Sequence, residues 1–251
     1  MKYIVLSFDD GLLDFRENAL PILNKYGFKA TLNIISGFSD KTVETRYKCL
    51  SVDDIKHLYA NGFDIANHTD SHMKHGSYDE LSLCNKKINE WLSINNILGI
   101  AMPKYAKPSD DALRYINENN PPYVTWYMKT KCGLGIFLRR IRYKLLYSFS
   151  RSDCNYHSYL NQLSMYKKGK ASLFTRVEAG KNVNPKVIYE SFKTIKDGYC
   201  VTVCLHSIID NPDESYYPKG AWTLEQFDTF CSLLSSDKQL KVITQIEACE
   251  R

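Results

Sequence analysis

No two cysteines in the chain stand in a CxxC arrangement, and the eight that occur (Cys49, Cys84, Cys132, Cys154, Cys200, Cys204, Cys231 and Cys249) are widely scattered. A thiolate zinc site is therefore not the default expectation. In a chain of 251 residues, buried thiols are a better expectation than a disulfide framework. Long apolar runs are lacking too, because charges interrupt each hydrophobic stretch before the roughly 20 residues a bilayer crossing needs. The opening MKYIVLSFDDG has none of the basic region, extended apolar segment or small-residue cleavage site of an export signal, so a cytoplasmic location is expected. Charge of one sign is scarce. Lys and Arg number 33 against 28 acidic residues, a formal +5 that suits an anionic substrate but is too mild and too mixed for a nucleic-acid surface. Internal repeats, low-complexity tracts and linker-like stretches are also missing, which points to a single domain over residues 1–251.

What is present is core-forming material, 44% of the residues being hydrophobic, arranged in repeated strand, loop and helix units. Tyr3–Phe8 is a short apolar run that stops at Asp9, Asp10 and Gly11, as a buried strand delivering carboxylates into a turn would. Residues 18–26 suit a helix stopped by Gly27, and 30–35 a second strand. Ser51 caps a helix carrying Ile55 and Leu58 inward, and Phe63–Ala66 is a strand ending in Asn67 and His68. Leu81–Leu92 carries a helical apolar stripe. Further on, strands are expected at 105–107, 123–128, 199–205 and 241–246, with helices at 112–116, 187–195 and 224–234. This alternation predicts an α/β fold with a parallel sheet, either a (β/α) barrel or a doubly wound sheet. Barrel enzymes assemble their chemistry at the C-terminal ends of strands, where Asp9, Asp10, His68 and His206 all fall, and that favours the barrel.

The polar groups at those strand ends form a metal-ligand pattern. His68 and His72 are four positions apart, so in a helical turn they would share one face and converge on one ion. Asp10 adds an oxygen donor, completing a two-His, one-carboxylate set with positions left for water and substrate. Asp9, outside that set, is suited to take a proton from the attacking water, and His206 to protonate the leaving group from the opposite side. His75 is an alternative ligand through its HxxH spacing with His72, but His68 directly follows the strand and is preferred. Tyr216 and Trp222, in the polar, proline-bearing loop after His206, are candidates for stacking on a ligand's ring. The segment 134–149 mixes Arg139, Arg140, Arg142 and Lys144 with apolar residues. A helix there would offer a basic edge to a phosphate-bearing carrier or a membrane surface.

SFDDG at Ser7–Gly11, NHTDSH at Asn67–His72 and VCLHS at Val203–Ser207 together resemble the motifs of the NodB-type polysaccharide deacetylase family. This resemblance implies a distorted or incomplete (β/α) barrel that removes acetyl from an N-acetylated sugar or glycoconjugate, which could be phosphate- or lipid-linked. It also implies one divalent metal ion, most often zinc. Asp9 would be the base, Asp10, His68 and His72 the ligands, and His206 the acid. KYAKPSDD at Lys104–Asp111 resembles a variant of a further motif, with Ala106 where the family often has an arginine that orients the catalytic Asp. Lys107 is the neighbouring cation expected to approach Asp9, and Asp153 is the candidate for orienting His206. The rival readings are a non-catalytic carbohydrate-binding relative and, further off, a basic nucleic-acid-binding protein.

Overall fold

A computed structural model describes residues 1–125, 172–174, 176–193 and 197–250. Its strands are β1 (Lys2–Phe8), β2 (Thr31–Ile34), β3 (Asp64–Asn67), β4 (Ile100–Ala101), β5 (Tyr123–Thr125), β6 (Ser172–Phe174), β7 (Arg176–Glu178), β8 (Cys200–Leu205) and β9 (Leu240–Ile243). The central strands β1, β2 and β8 are almost wholly buried, as parallel strands covered by helices must be. The helices are α1 (Leu20–Tyr26), α2 (Ser36–Ser39), α3 (Val52–Ala60), α4 (Tyr78–Leu92), α5 (Asp110–Asn119), α6 (Pro185–Phe192), α7 (Leu224–Ser236) and α8 (Gln245–Glu250).

All the strands join one sheet in the order β6-β5-β4-β3-β2-β1-β8-β7, with β9 also on β1, and every ladder is parallel. Strand β1 is the hub. One edge pairs Tyr3–Phe8 with Cys200–Leu205, while the other forks, its first half on β9 and its end (Ser7, Phe8) on Thr31 and Leu32 of β2. No ladder joins β6 to β7 among the described residues, so the sheet is an open half-barrel with its strand ends gathered at one rim.

The core explains the helix placements. Ile4, Leu6 and Phe8 pack with Phe15, Leu23, Leu32 and Ile34, then with Phe227 and Phe230 of α7. The Phe8 ring meets Phe15 and Phe227 edge-on, at centroid distances of 4.8 and 5.7 Å. Sequence caps set several starts. Ser51 accepts a hydrogen bond from Asp54 N and Thr223 one from Gln226 N, each within a reciprocal capping box.

Two expected strands differ. Ile100–Ala101, not 105–107, forms the strand: Met102 N still donates to Thr125 O, but Pro103 has no N–H to continue the ladder and Pro103–Tyr105 closes into a 3-10 turn. The last strand stops at Ile243 because Thr244 accepts from Glu247 N and opens α8. None of the six described cysteines forms a disulfide, and no described helix is long and apolar enough to cross a membrane. The basic segment 134–149 and Asp153 lie outside the described residues.

Candidate metal and catalytic site

The rim site begins where β1 ends. Asp9 N still donates to Leu205 O of β8 (2.9 Å), but Asp10 then turns to φ 74° and Gly11 to φ 62°. This reversal points two consecutive carboxylates into the same cavity. Gly11 meets the need for left-handed backbone in tight space, since a Cβ there would come 3.0 Å from Ile34 Cδ1. Asp10 accepts the same backbone strain without being glycine, the kind of cost that persists where surrounding structure over-determines it.

His68 leaves β3 directly. Its Nδ1 donates to Ala101 O at 2.6 Å, which fixes the tautomer and turns the Nε2 lone pair toward Asp10. His72 arrives by a different route from the helical turn its spacing suggests. Thr69 (φ 67°) and His72 (φ 61°) make 68–72 a tight irregular loop. Internal bonds hold that loop: Thr69 N donates to Asn67 Oδ1, and Met73 N to Thr69 Oγ1. Outside it, Asp70 accepts from Ser36 Oγ at 2.6 Å and Lys87 Nζ at 2.8 Å.

Asp10 Oδ1 lies 3.3 Å from Nε2 of both His68 and His72, and the three donor atoms are mutually within 4.8 Å. Bonds of about 2.0–2.1 Å meeting at a tetrahedral angle would leave neighbouring ligand atoms roughly 3.3 Å apart, so the set fits a zinc-sized ion. Two further facts agree. Asp10 Oδ1 is buried and accepts no well-formed hydrogen bond. Burial, then the charge of His68, holds the His72 imidazole down at about 4, so it is neutral near pH 7 and free to donate its lone pair. For Asp10, burial alone would raise the carboxyl, but the close His68 imidazole and the charges of His206 and His72 outweigh it and the net direction is down.

Asp9 and His206 face each other across the remaining space, with Asp9 Oδ2 to His206 Nε2 at 3.9 Å and to His68 Nε2 at 3.8 Å. Asn33 Nδ2, from β2, donates to Asp9 Oδ1 at 2.6 Å and to Ser7 Oγ at 2.8 Å. The His206 ring packs edge-on against Tyr217, centroids 5.0 Å apart, beside Gly220, where a Cβ would strike the Tyr217 ring. Together Asp9, Asp10, His68, His72, Lys104, His206, Tyr216 and Tyr217 line a cavity of about 280 Å³.

Residues 1–120 match the polysaccharide deacetylase family. The matched stretch is just under half of the 251-residue chain. Among relatives, YxkH of Bacillus subtilis (strain 168), itself named provisionally as a polysaccharide deacetylase, is 33% identical over 73 residues; the match covers 29% of this chain and only 24% of YxkH. The Bc1960 peptidoglycan N-acetylglucosamine deacetylase superposes with a TM-score of 0.56 at 15% identity, over 98% of this chain and 87% of that one. A family 4 acetyl xylan esterase from Clostridium thermocellum, solved with a cobalt ion, gives 0.53 at 16% identity over 98% and 89%. These two likenesses show the shared α/β half-barrel.

The structure gathers Asp9, Asp10, His68, His72, His206 and Tyr216 at one cavity, and Asp10, His68 and His72 form a candidate divalent-metal site. Two expectations need correction. Trp222 is fully buried, donating from Nε1 to Gly180 O and packing on Phe230, so it closes the core and touches no cavity surface. Lys107 is exposed and meets the neighbourhood only through its carbonyl, which accepts from His75 Nδ1 at 2.9 Å. That bond also holds His75 away from the ligand set. Lys104 is the lysine that reaches the cavity, from a left-handed backbone (φ 53°) that linear spacing cannot reveal.

Two further groups matter here: Asn33, which the sequence did not single out, and Tyr217, one of the aromatics of the loop after His206. Asn33 left a signal, a lone amide inside the otherwise apolar strand TLNI, since a buried amide needs partners. Ala106 is buried where the resemblance placed an orienting arginine, and Asn33 instead supplies a hydrogen bond that fixes Asp9.

Proposed function

We propose that this chain is a polysaccharide deacetylase that hydrolyses the N-acetyl group of a sugar or glycoconjugate and releases acetate, working within one domain and in the cytoplasm. The observation that carries the reading is the 3.9 Å pairing of Asp9 with His206 beside the Asp10, His68 and His72 cluster. Bc1960, which shares the fold, is named for N-acetylglucosamine deacetylation, and this supports the choice of substrate class.

A divalent ion on Asp10, His68 and His72, with zinc favoured by the two-nitrogen, one-oxygen tetrahedral set, would polarise the acetyl carbonyl and acidify the attacking water. Everything else is done by the chain. Asp9, outside the ligand set, takes the water's proton at Oδ2, while Asn33 holds its Oδ1 and prevents rotation. His206, protonated at Nε2, stands across the cavity and gives that proton to the departing amine nitrogen. Tyr216 and Tyr217 form apolar walls that exclude water, and Lys104 adds a cation at the mouth. The volume of about 280 Å³ is at the small end of ligand cavities, suited to one sugar ring at a time.

The test is acetate release by metal-reconstituted protein on a panel of N-acetylated sugars, polymers, sugar nucleotides and lipid-linked sugars. Asp9→Asn should abolish turnover while retaining metal, and His68→Ala should lose the metal itself. Sugar binding without acetate release across the whole panel would replace this reading with the non-catalytic one.

A further inference from the structure

We propose that Asp9, Cys204 and His206 form a second cation site, selective for soft divalent ions such as zinc or cadmium, and that filling it shuts the enzyme off. The parallel register builds this cluster. Cys204 pairs with Ser7 on β1 and with Glu178 on β7, so the three side chains share one row on one face of the sheet. Alternation carries the same face two residues on, from Ser7 to Asp9 and from Cys204 to His206. The result is a carboxylate oxygen, a thiol sulfur and an imidazole nitrogen all within 4.8 Å of one another, on residues buried to 3%, 0% and 7% exposure.

The distances fit an ion. Metal bonds of about 2.0–2.3 Å put tetrahedral ligand atoms roughly 3.3–3.6 Å apart; Asp9 Oδ2 is 3.9 Å from His206 Nε2 and the three donor atoms lie within 4.8 Å of one another, so side-chain rotations of about an ångström close the set. A thiolate selects zinc and cadmium over magnesium, calcium and manganese. Binding costs one proton, which leaves the Cys204 thiol for solvent as sulfur takes up the ion. None of the three residues belongs to the Asp10, His68 and His72 set, so both sites can fill together. Asp9 and His206 also line the cavity, which gives the ion its entry.

The inhibitory consequence rests on the reading above, in which Asp9 and His206 move the protons; the binding itself does not. With an ion across both, the charge of Asp9 is neutralised so that it no longer draws the water's proton, and His206 Nε2 has no N–H for the leaving amine.

Equilibrium dialysis of the metal-stripped protein against zinc, repeated with cadmium, tests the site without substrate. Wild type should take up two equivalents, and a cadmium–thiolate absorption band should grow with the second. Cys204→Ala and Cys204→Ser should keep the first equivalent and lose both the second and the band. Cadmium NMR on wild type reads a one-sulfur environment directly, should either variant fail to fold. Where acetate release is measurable, wild-type activity should fall as the second equivalent binds, and the ratio of activities at excess and equimolar zinc should return to unity in Cys204→Ser. A single equivalent in wild type, or a thiolate band that survives both substitutions, overturns the proposal. If no substrate yields acetate, the functional reading fails while dialysis and absorption still decide the site.

Discussion

Asn33 and Asp14 show how single buried polar groups set the behaviour of this rim. Asn33 makes its short bond to the very oxygen that orients Asp9, so Asn33→Leu should misalign the base without touching the ligands. We expect turnover to fall by roughly 10–100-fold at unchanged metal content, with a stability cost of about 1–3 kcal/mol from the lost buried bonds, read by steady-state kinetics and denaturant unfolding. Asn33→Asp should instead move the acidic limb of the pH–rate profile upward, because a second carboxylate at that distance makes ionising Asp9 harder. Asp14 accepts from Ser207 Oγ, the residue after His206, and burial pushes its carboxyl up to about 6 against that bond. The folded state therefore holds a proton between about pH 4 and 6 that the unfolded chain has released. Its contribution is full below the unfolded value near 4 and is lost as pH rises through 6, up to about 3 kcal/mol in all. Asp14→Asn should be the more stable protein at pH 7, with the gap to wild type closing by roughly 2–3 kcal/mol at pH 4.5 in denaturant titrations. A constant gap would mean that Asp14 is ionised at both ends of that range.

At the scale of elements, the short helix α2 is the support for the histidine loop. Gly37 N donates to Asp70 O at 2.9 Å, and a Cβ on Gly37 would come 2.6 Å from both Asp70 O and Val43 Cγ2. Gly37→Ala should push the loop outward and separate His72 from Asp10. Metal affinity should drop by roughly 10–100-fold in competition titrations while circular dichroism stays native, whereas unchanged affinity would show that the loop keeps its shape without α2. Elements also decide what the sequence discloses. Strands β1, β3 and β8 were legible because each is an apolar run ending abruptly in chemistry, and so was the rim that gathers Asp9, Asp10, His68 and His206. Strand β4 was not, since two residues carry no periodicity and only the ladder to β3 and β5 defines them. The route from His68 to His72 was hidden for another reason: its backbone turns twice through positive φ, at Thr69 and His72, and Asp70 between them is tied to Ser36 on α2 and Lys87 on α4, contacts that spacing alone cannot show. Trp222 misled because its loop looks like surface, yet Trp222 N donates to Ser207 O and draws the ring into the core.

For the whole molecule, the hub position of β1 couples the site to stability. The strand that ends in Asp9 and Asp10 pairs with β2, β8 and β9, while the histidine ligands follow β3, which is tied to β1 through β2. An ion held by Asp10, His68 and His72 thus links two strand ends across the half-barrel and relieves the buried, unsatisfied Asp10 Oδ1. Because such an ion binds the native fold far better than the unfolded chain, it stabilises by mass action, about 2.7 kcal/mol at a hundredfold excess over Kd. For a chain of this size that corresponds to a rise in Tm of roughly 5–10 °C. Chelation should therefore lower Tm by that amount and re-addition of zinc should restore it, followed by calorimetry. In His68→Ala the response should vanish, because the remaining pair, Asp10 and His72, cannot close a coordination sphere. In Asp9→Asn it should persist, since Asp9 lies outside the ligand set. A Tm response lost in Asp9→Asn and kept in His68→Ala would reverse the division of labour between the two aspartates, making Asp9 the ligand.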